Sequence, residues 1–184
     1  CINMEEVSQP RKNTCSSRSF GRPVTALQDM EEAVANHAVK AASRIRREGS
    51  LARGLQVFVM TNRFRKDLPQ YSNSRAMAFS EPTDDPMSIL SSARRLLREI
   101  YCRGYSYKKA GVLLLDLEHG GYRQLNLFKR HEGGKHARLA HAMEELTAAY
   151  GPRAAFLAAQ GIKRPWRMKR TRLTPRYTTS WKEL

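Results

Sequence analysis

The sequence predicts an α+β fold: a split β-α-β-β-α-β unit forming a four-stranded sheet with two helices on one face, followed by a small helical, basic C-terminal extension. Three observations carry this. Two stretches repeat apolar residues at steps of three and four, the pattern of a buried helical face. Four short extended stretches surround them in the order strand, helix, strand, strand, helix, strand. Residues 1–120 hold 19 basic and 13 acidic residues, whereas residues 121–184 hold 14 and 4, so a mixed-charge body precedes a strongly basic end.

Residues 1–14 are polar, with Pro10 breaking any helix, and read as a linker from an upstream domain. The chain opens at Cys1 without an initiator Met and is therefore read as part of a longer protein. Residues 15–119 form the main domain. Ser16–Val24 is its first strand. Thr25-Ala26-Leu27-Gln28 fits a capping box with Thr25 as N-cap, and Leu27, Met30, Val34, Ala38, Ala41 and Ile45 make the buried face of the helix that follows. Gly49 stops it. Leu55–Thr61 is the second strand, Asn62–Ser74 a polar loop containing Pro69, and Arg75–Ser80 the third strand. Asp85-Pro86 supplies an N-cap and a first-turn proline for a second helix. Its face is Ile89, Leu90, Ala93, Leu96, Leu97, Ile100 and Tyr101, and Gly104 ends it. Ala110–Glu118 is the last strand, closed by Gly120-Gly121. The helices bury one sheet face and leave the other open. Leu55, Val57 and Val59 alternate with Gln56, Phe58 and Met60, both sets partly apolar, so the pattern leaves open which set faces outward.

Residues 120–135 read as a linker and residues 136–184 as the extension. Within it Arg138–Tyr150 is a helix with Leu139, Met143, Leu146 and Tyr150 on one side, and Arg153–Gln160 a second short helix.

A formal charge of +16 and a pI near 10.3 point to nucleic acid, an anionic membrane or an acidic protein as partner. The longest apolar run, Ala110–Leu115, is far short of the roughly 18–20 residues of a membrane span. No secretory pattern opens the chain, and Cys1, Cys15 and Cys102 have no metal-like spacing, so a reducing cytoplasm is expected and no membrane. Gly161–Leu184 interleaves eight basic residues and one acid with Trp166, Tyr177 and Trp181. Such a tail binds nucleic acid through phosphates and base stacking, or docks as a solvated basic segment on an acidic partner.

Catalytic patterns are weak. Gly134-Lys135 is followed by His136, so no phosphate-binding glycine loop is formed. His131, His136 and His141 are spaced by five and share no helical face. Asp116 and Glu118 share a strand face but lack a third ligand, and read as a strand-end charge pair. No catalytic residue, metal site or cofactor is expected in the chain.

Three strings carry a resemblance. SSRSFGRPVT, residues 16–25, with the helix after it resembles the start of the little-finger domain of Y-family translesion DNA polymerases. QLNLF, comprising Gln124, Leu125, Asn126, Leu127 and Phe128, resembles the pentapeptide by which bacterial polymerases hold the sliding clamp. PWRMKRTRLTPRYTTSW, residues 165–181, is similar to the C-terminal extension of the UmuC branch. The resemblance is to the C-terminal part of a UmuC-type DNA polymerase V subunit or its plasmid-borne relatives. It implies an error-prone lesion-bypass polymerase of SOS mutagenesis and DNA repair, whose little finger grips the backbones of damaged or primer-template DNA. Arg18, Ser19 and Arg22 match the first-strand segment that meets phosphate. Arg63, Arg65 and Arg75, at the ends of the middle strands, join them by charge and place. Gln124–Phe128 would dock on the clamp, the beta subunit. A UmuD′ dimer and RecA are implied partners, though no residue pattern marks their contacts. The polymerase carboxylates and their Mg2+ belong to a palm domain that nothing here matches, so the fragment alone is not expected to be an enzyme. The rival readings are a free-standing nucleic-acid-binding module and a protein-interaction module. Against the first, the central strand LQVFVMT lacks the Gly-Phe string of sheet-based RNA binders.

Overall fold

The computed structural model describes residues 11–120, 133–151 and 154–168, with Thr174 and Thr178. The elements are β1 (Thr14–Val24), α1 (Leu27–Arg47), β2 (Ser50–Thr61), β3 (Ser72–Thr83), α2 (Pro86–Ile100), β4 (Tyr107–His119) and α3 (Gly133–Tyr150), then a 3-10 turn at Ala158–Gln160. The strands form one antiparallel sheet in the order β1-β4-β2-β3. The most apolar strands, β2 and β4, take the centre, and the Ser- and Arg-rich β1 and β3 take the edges, where burial asks least of them. This is the predicted α+β arrangement.

Helices α1 and α2 cover one face. There Leu55, Val57 and Val59 of β2 pair with Leu114, Val112 and Ala110 of β4, all fully buried. Over them lie Met30, Val34, Ala38, Ala41 and Ile45 of α1 and Ile89, Ala93, Leu96, Leu97 and Ile100 of α2. The opposite set, Gln56, Phe58 and Met60, faces outward, which settles what the alternation left open. Four tyrosines pack at one end of the sheet. Tyr71 stacks on Tyr105 at 4.8 Å, and Tyr107 lies against Tyr71 and Tyr101. The buried Tyr107 hydroxyl accepts from Cys102 N–H and donates to Cys102 C=O, both at 2.9 Å, and burial pushes its pKa up to about 12.

The sequence misplaces some boundaries. The N-cap of α1 is Ala26, with no side-chain cap, so the Thr25 capping box does not form. Val24 is buried and paired with Tyr107, and the Tyr101 hydroxyl donates to Thr25 C=O at 2.5 Å, so Thr25 is held outside the helix. For α2 the cap is as expected: Asp85 accepts from Met87 N–H and Ser88 N–H, and Pro86 opens the first turn. Helix α2 ends at Ile100, because Tyr101 is already extended. Strands β2 and β3 run longer than predicted: β2 stays paired with β4 out to Ser50 opposite His119, and β3 with β2 from Ser72 opposite Met60 to Thr83 opposite Ala52, past a register shift between Ala52 and Gly54. Helix α3 starts at Gly133, and its expected apolar side does not dock: Leu139, Leu146 and Tyr150 are exposed. Polar ties hold it instead, with Arg46 bridging Asp84 (3.2 Å) and Glu144 (2.9 Å) and His136 3.1 Å from Asp85. Of the helix expected over 153–160, the described residues 154–160 keep only the turn at Ala158–Gln160, because Leu157 is extended.

Candidate nucleic-acid interface

Register assigns the uncovered face of the sheet. It carries Ser17 and Ser19 of β1, Lys109, Gly111 and Leu113 of β4, Gln56, Phe58 and Met60 of β2, and Ser72, Ser74 and Ala76 of β3. Small side chains keep this surface low, so a polymer laid on it meets main chain as well as side chain. The Phe58 ring rests on Gly111: a Cβ there would stand 2.4 Å from both Phe58 Cζ and Ser17 Cβ, so only glycine fits. Lys109 is the one charged side chain among these residues, and its ammonium lies 5.9 Å from the Phe58 ring centroid.

The positive charge gathers at one end of this face, where Val24, Tyr107 and Thr61 pair. Ser19 pairs with Lys109 there, Arg22 follows in β1, and the β2–β3 loop presents Arg63, Arg65 and Lys66. Lys108 donates to Phe20 C=O at 3.0 Å. Lys108 and Lys109 were missed because the last strand was started at Ala110; it begins at Tyr107. The double lysine directly before the apolar run was the available signal.

The six DNA-contact candidates do not share a surface. Ser19 is on the open face. Arg18 pairs with Ala110 and Arg75 with Val57, so both belong by register to the helix-bearing face. Arg75 lies inside β3 rather than at its end, 3.2 Å from Glu99 of α2. Arg65 forks onto Asp67 at 2.6 Å, which raises the guanidinium pKa and lowers that of the carboxyl. Arg22 lies 3.7 Å from Asp29. Arg63 is exposed in the loop with no ion pair among the described residues. Gln124, Leu125, Asn126, Leu127 and Phe128 lie outside the described residues.

Beside this end, residues 154–168 fold back onto β1 and α1. Trp166, read from sequence as an aromatic available for stacking, is only 8% exposed and sits edge-on to Phe20 at 6.3 Å. Its carbonyl accepts from Gly21 N–H at 3.1 Å and its indole N–H reaches Glu32 at 3.4 Å. Asn36, buried mid-helix, donates to Gln160 C=O at 2.8 Å and accepts from the Gln160 side chain at 3.4 Å. An amide on the buried face of α1 was the sequence signal for such a partner, since a buried polar group needs one.

Among the described residues no group of three His, Cys, Asp or Glu side chains comes together. Glu118 is held by Arg53 at 2.5 Å, Asp116 has a left-handed backbone, and His136 and His141 each face one carboxylate.

Residues 11–127 match the impB/mucB/samB family C-terminal domain, and residues 137–184 match a domain of unknown function, DUF4113. Protein UmuC of Salmonella typhimurium is 37% identical over 186 residues, which cover 100% of this chain and 44% of that protein. Protein SamB of Salmonella typhimurium is also 37% identical, with 100% and 43% covered. A solved complex of the beta-clamp processivity factor and the little finger domain of PolIV aligns with 64% of this chain and 99% of its own at a TM-score of 0.43 and 12% identity. The chain spans less than half the length of the curated relatives it matches. With a family match over residues 11–127 and a four-stranded sheet backed by two helices in that span, the chain belongs to the impB/mucB/samB family and contains its C-terminal domain.

Proposed function

We propose that this chain is the DNA-gripping C-terminal region of an error-prone lesion-bypass polymerase of the UmuC type, acting in the cytoplasm. The observation that carries the reading is the low, uncovered sheet face whose one end collects Arg22, Arg63, Arg65, Lys66, Lys108 and Lys109. Family membership supports it. A bypass enzyme must hold distorted DNA without reading its sequence, and phosphate contacts position a protein without carrying sequence information directly. With about five phosphates neutralised, log affinity for primer-template DNA is expected to fall with log salt at a slope of about −4 to −5, and little with sequence. Arg63→Gln with Lys109→Gln flattens that slope by about 2. Affinity independent of salt overturns the reading and favours a protein-interaction module.

Docking on the sliding clamp is proposed from the Gln124–Phe128 string. Leu127 and Phe128 would be the buried anchors, and burying one such side chain is worth roughly 1.5–3 kcal/mol. Replacing both with Ala is expected to lower clamp affinity on the order of a hundredfold while DNA affinity stays put, as measured by surface plasmon resonance. Undiminished clamp binding removes this part of the proposal. UmuD′ and RecA are proposed partners on the resemblance alone, and Mg2+ is proposed to act in a palm domain.

A further inference from the structure

The β2–β3 loop, residues 62–71, is an ordered structure that carries an uncovered ring. Thr61 and Tyr71 close it: Thr61 N–H donates to Tyr71 C=O at 2.9 Å, and Tyr71 N–H donates to Thr61 Oγ1 at 3.0 Å. Inside it two turns follow one another, with Arg65 N–H on Asn62 C=O at 3.1 Å and Leu68 N–H on Arg65 C=O at 3.3 Å. The Asn62 side chain accepts from Phe64 N–H at 3.2 Å. The Gln70 amide donates to Arg65 C=O at 2.7 Å and to Leu68 C=O at 3.0 Å. The Tyr71 hydroxyl donates to Ile100 C=O at 2.7 Å and its ring stacks on Tyr105, which pins the loop to the body of the domain. Yet the Phe64 ring is 95% exposed. A single exposed apolar side chain is ordinary. This one is set apart by its frame: a self-bonded loop holds it away from the core, between Arg63 and Arg65, with three cations in the loop against one acid, Asp67.

We propose that Phe64 stacks on an unpaired base of single-stranded DNA, with the Arg63 and Lys66 side chains on the phosphates beside it. The inference rests on the DNA-binding reading above and deepens it: the open sheet face holds duplex, and the loop at its basic end takes the single strand that runs on from it. Gln56, Phe58 and Met60 of β2 lead along the open face into this loop, so a strand following the face in that direction meets the loop next. In a duplex each base is covered on both faces by its neighbours, so an aromatic tip finds a free face only where bases are unpaired or the stack is broken. Every base has such a face, so the contact tolerates any sequence. Arg65 is spent on Asp67 and serves to fix the loop. A loop already held in shape loses little freedom on binding. The flanking cations favour nucleic acid over an apolar protein groove as the ring's partner.

The test uses the whole 184-residue chain and fluorescence anisotropy on related probes. These are a blunt duplex, the same duplex with single-stranded overhangs, and the same overhangs made of abasic nucleotides, which keep the phosphates and remove the bases. Wild type is expected to bind the base-bearing overhangs about tenfold more tightly than the abasic ones, and Phe64→Ala to remove that difference. The variant keeps the wild-type salt slope, because stacking releases no counter-ions. It also keeps the wild-type melting temperature, because the ring is exposed. Phe64→Tyr, which retains a ring, keeps the preference. If wild type shows the steep slope but does not distinguish the overhangs, or Phe64→Ala still does, the stacking site is wrong and the DNA-binding reading stands. If Phe64→Ala weakens binding to all the probes alike, the ring touches duplex or backbone and the proposal is overturned. Unchanged DNA binding with lowered clamp affinity makes the ring a protein contact and overturns it equally. A wild-type chain that binds without salt dependence removes the DNA-binding reading and this inference with it.

Discussion

Trp166→Ala is expected to undock residues 154–168 while the sheet stays folded. Removing a buried Trp side chain from a core typically costs about 3–5 kcal/mol. Here the loss is capped by the free energy of docking, because the segment joins the domain through few contacts and opens without the rest. Those contacts include the Trp166 ring against Phe20, its indole N–H on Glu32, the Asn36–Gln160 amide pair, the Gly21–Trp166 backbone bond, and Leu157 and Ala159 packed against the core. The most local readout is hydrogen exchange at the Gly21 amide, whose acceptor is Trp166 C=O. Its protection should fall to that of an exposed amide. Core amides such as those of Val57 and Val112 keep theirs, and trypsin cuts faster at Lys163 and Arg167. Asn36→Ala should act in the same direction, since it strands the buried Gln160 amide. If Gly21 keeps its protection in the Trp166 variant, the indole is not the anchor. If core amides lose protection to the same degree, the segment is an inseparable part of the fold.

The part of the fold that could be read from sequence is the part set by local rules. Asp85-Pro86 caps α2 because an acceptor side chain and a fixed φ suit a helix start wherever the helix docks. The stripes of α1 and α2 announce a sheet to cover. The spatial order of the strands was not read, although the polar β1 and β3 at the edges and the apolar β2 and β4 at the centre agree with it. What could not be read depends on partners far along the chain. Asn36 and Gln160 meet across 124 positions, and neither local context names the other. Trp166 looks like a stacking aromatic in a basic tail, and only Phe20 and the close approach at Gly21 make it a core residue. The candidate site shows the same divide. Ser19 lies on the open face, and the charge of the loop at Arg63 and Arg65 was legible. Arg75 looked available because Glu99, on another element, was not visible as its partner. Helix α3 illustrates the opposite error: its stripe Leu139, Met143, Leu146 and Tyr150 is a sound amphipathic pattern, yet the helix is held by the polar ties of Arg46 and His136.

Stability is expected to fall steeply as the solution is acidified from pH 6.5 toward pH 4, and His37→Leu should remove most of that slope. His37 lies on the buried face of α1, only 5% exposed. Its Nδ1 is 3.1 Å from Ser16 Oγ, and its Nε2 has no hydrogen-bond partner. Burial first, and the positive charge of Lys40 second, lower its pKa from 6.5 to about 4. Arg18, two residues beyond Ser16 in β1, adds no acid that could favour the charged ring. The unfolded chain takes up a proton near pH 6.5 that the folded chain refuses until about pH 4, so the unfolded state binds more protons across that window. The stabilisation is therefore complete above pH 6.5 and is lost as the pH falls toward 4. A gap of that size is worth about 3 kcal/mol, a large share of the 5–15 kcal/mol typical of a domain. Two carboxyl groups are also shifted, and both act at lower pH. Burial pushes the Glu31 carboxyl up, but Arg98 and Arg94 outweigh it, so its pKa ends below 4.5. At Asp85, burial is likewise outweighed by hydrogen bonds from Ser88, Met87 and His136, and its pKa ends below 3.8. Both groups lose their stabilisation at still lower pH, and both remain in the variant, so the wild-type minus variant difference isolates His37. At pH 7 the variant carries only the cost of leaving Ser16 Oγ without its partner, about 1 kcal/mol. Urea unfolding at pH 7.5, 5.5 and 4.5 measures the effect: wild type should lose about 2.5 kcal/mol more than the variant over that range. Parallel profiles for the two proteins would mean that His37 gains a proton in the folded state as readily as in the unfolded one.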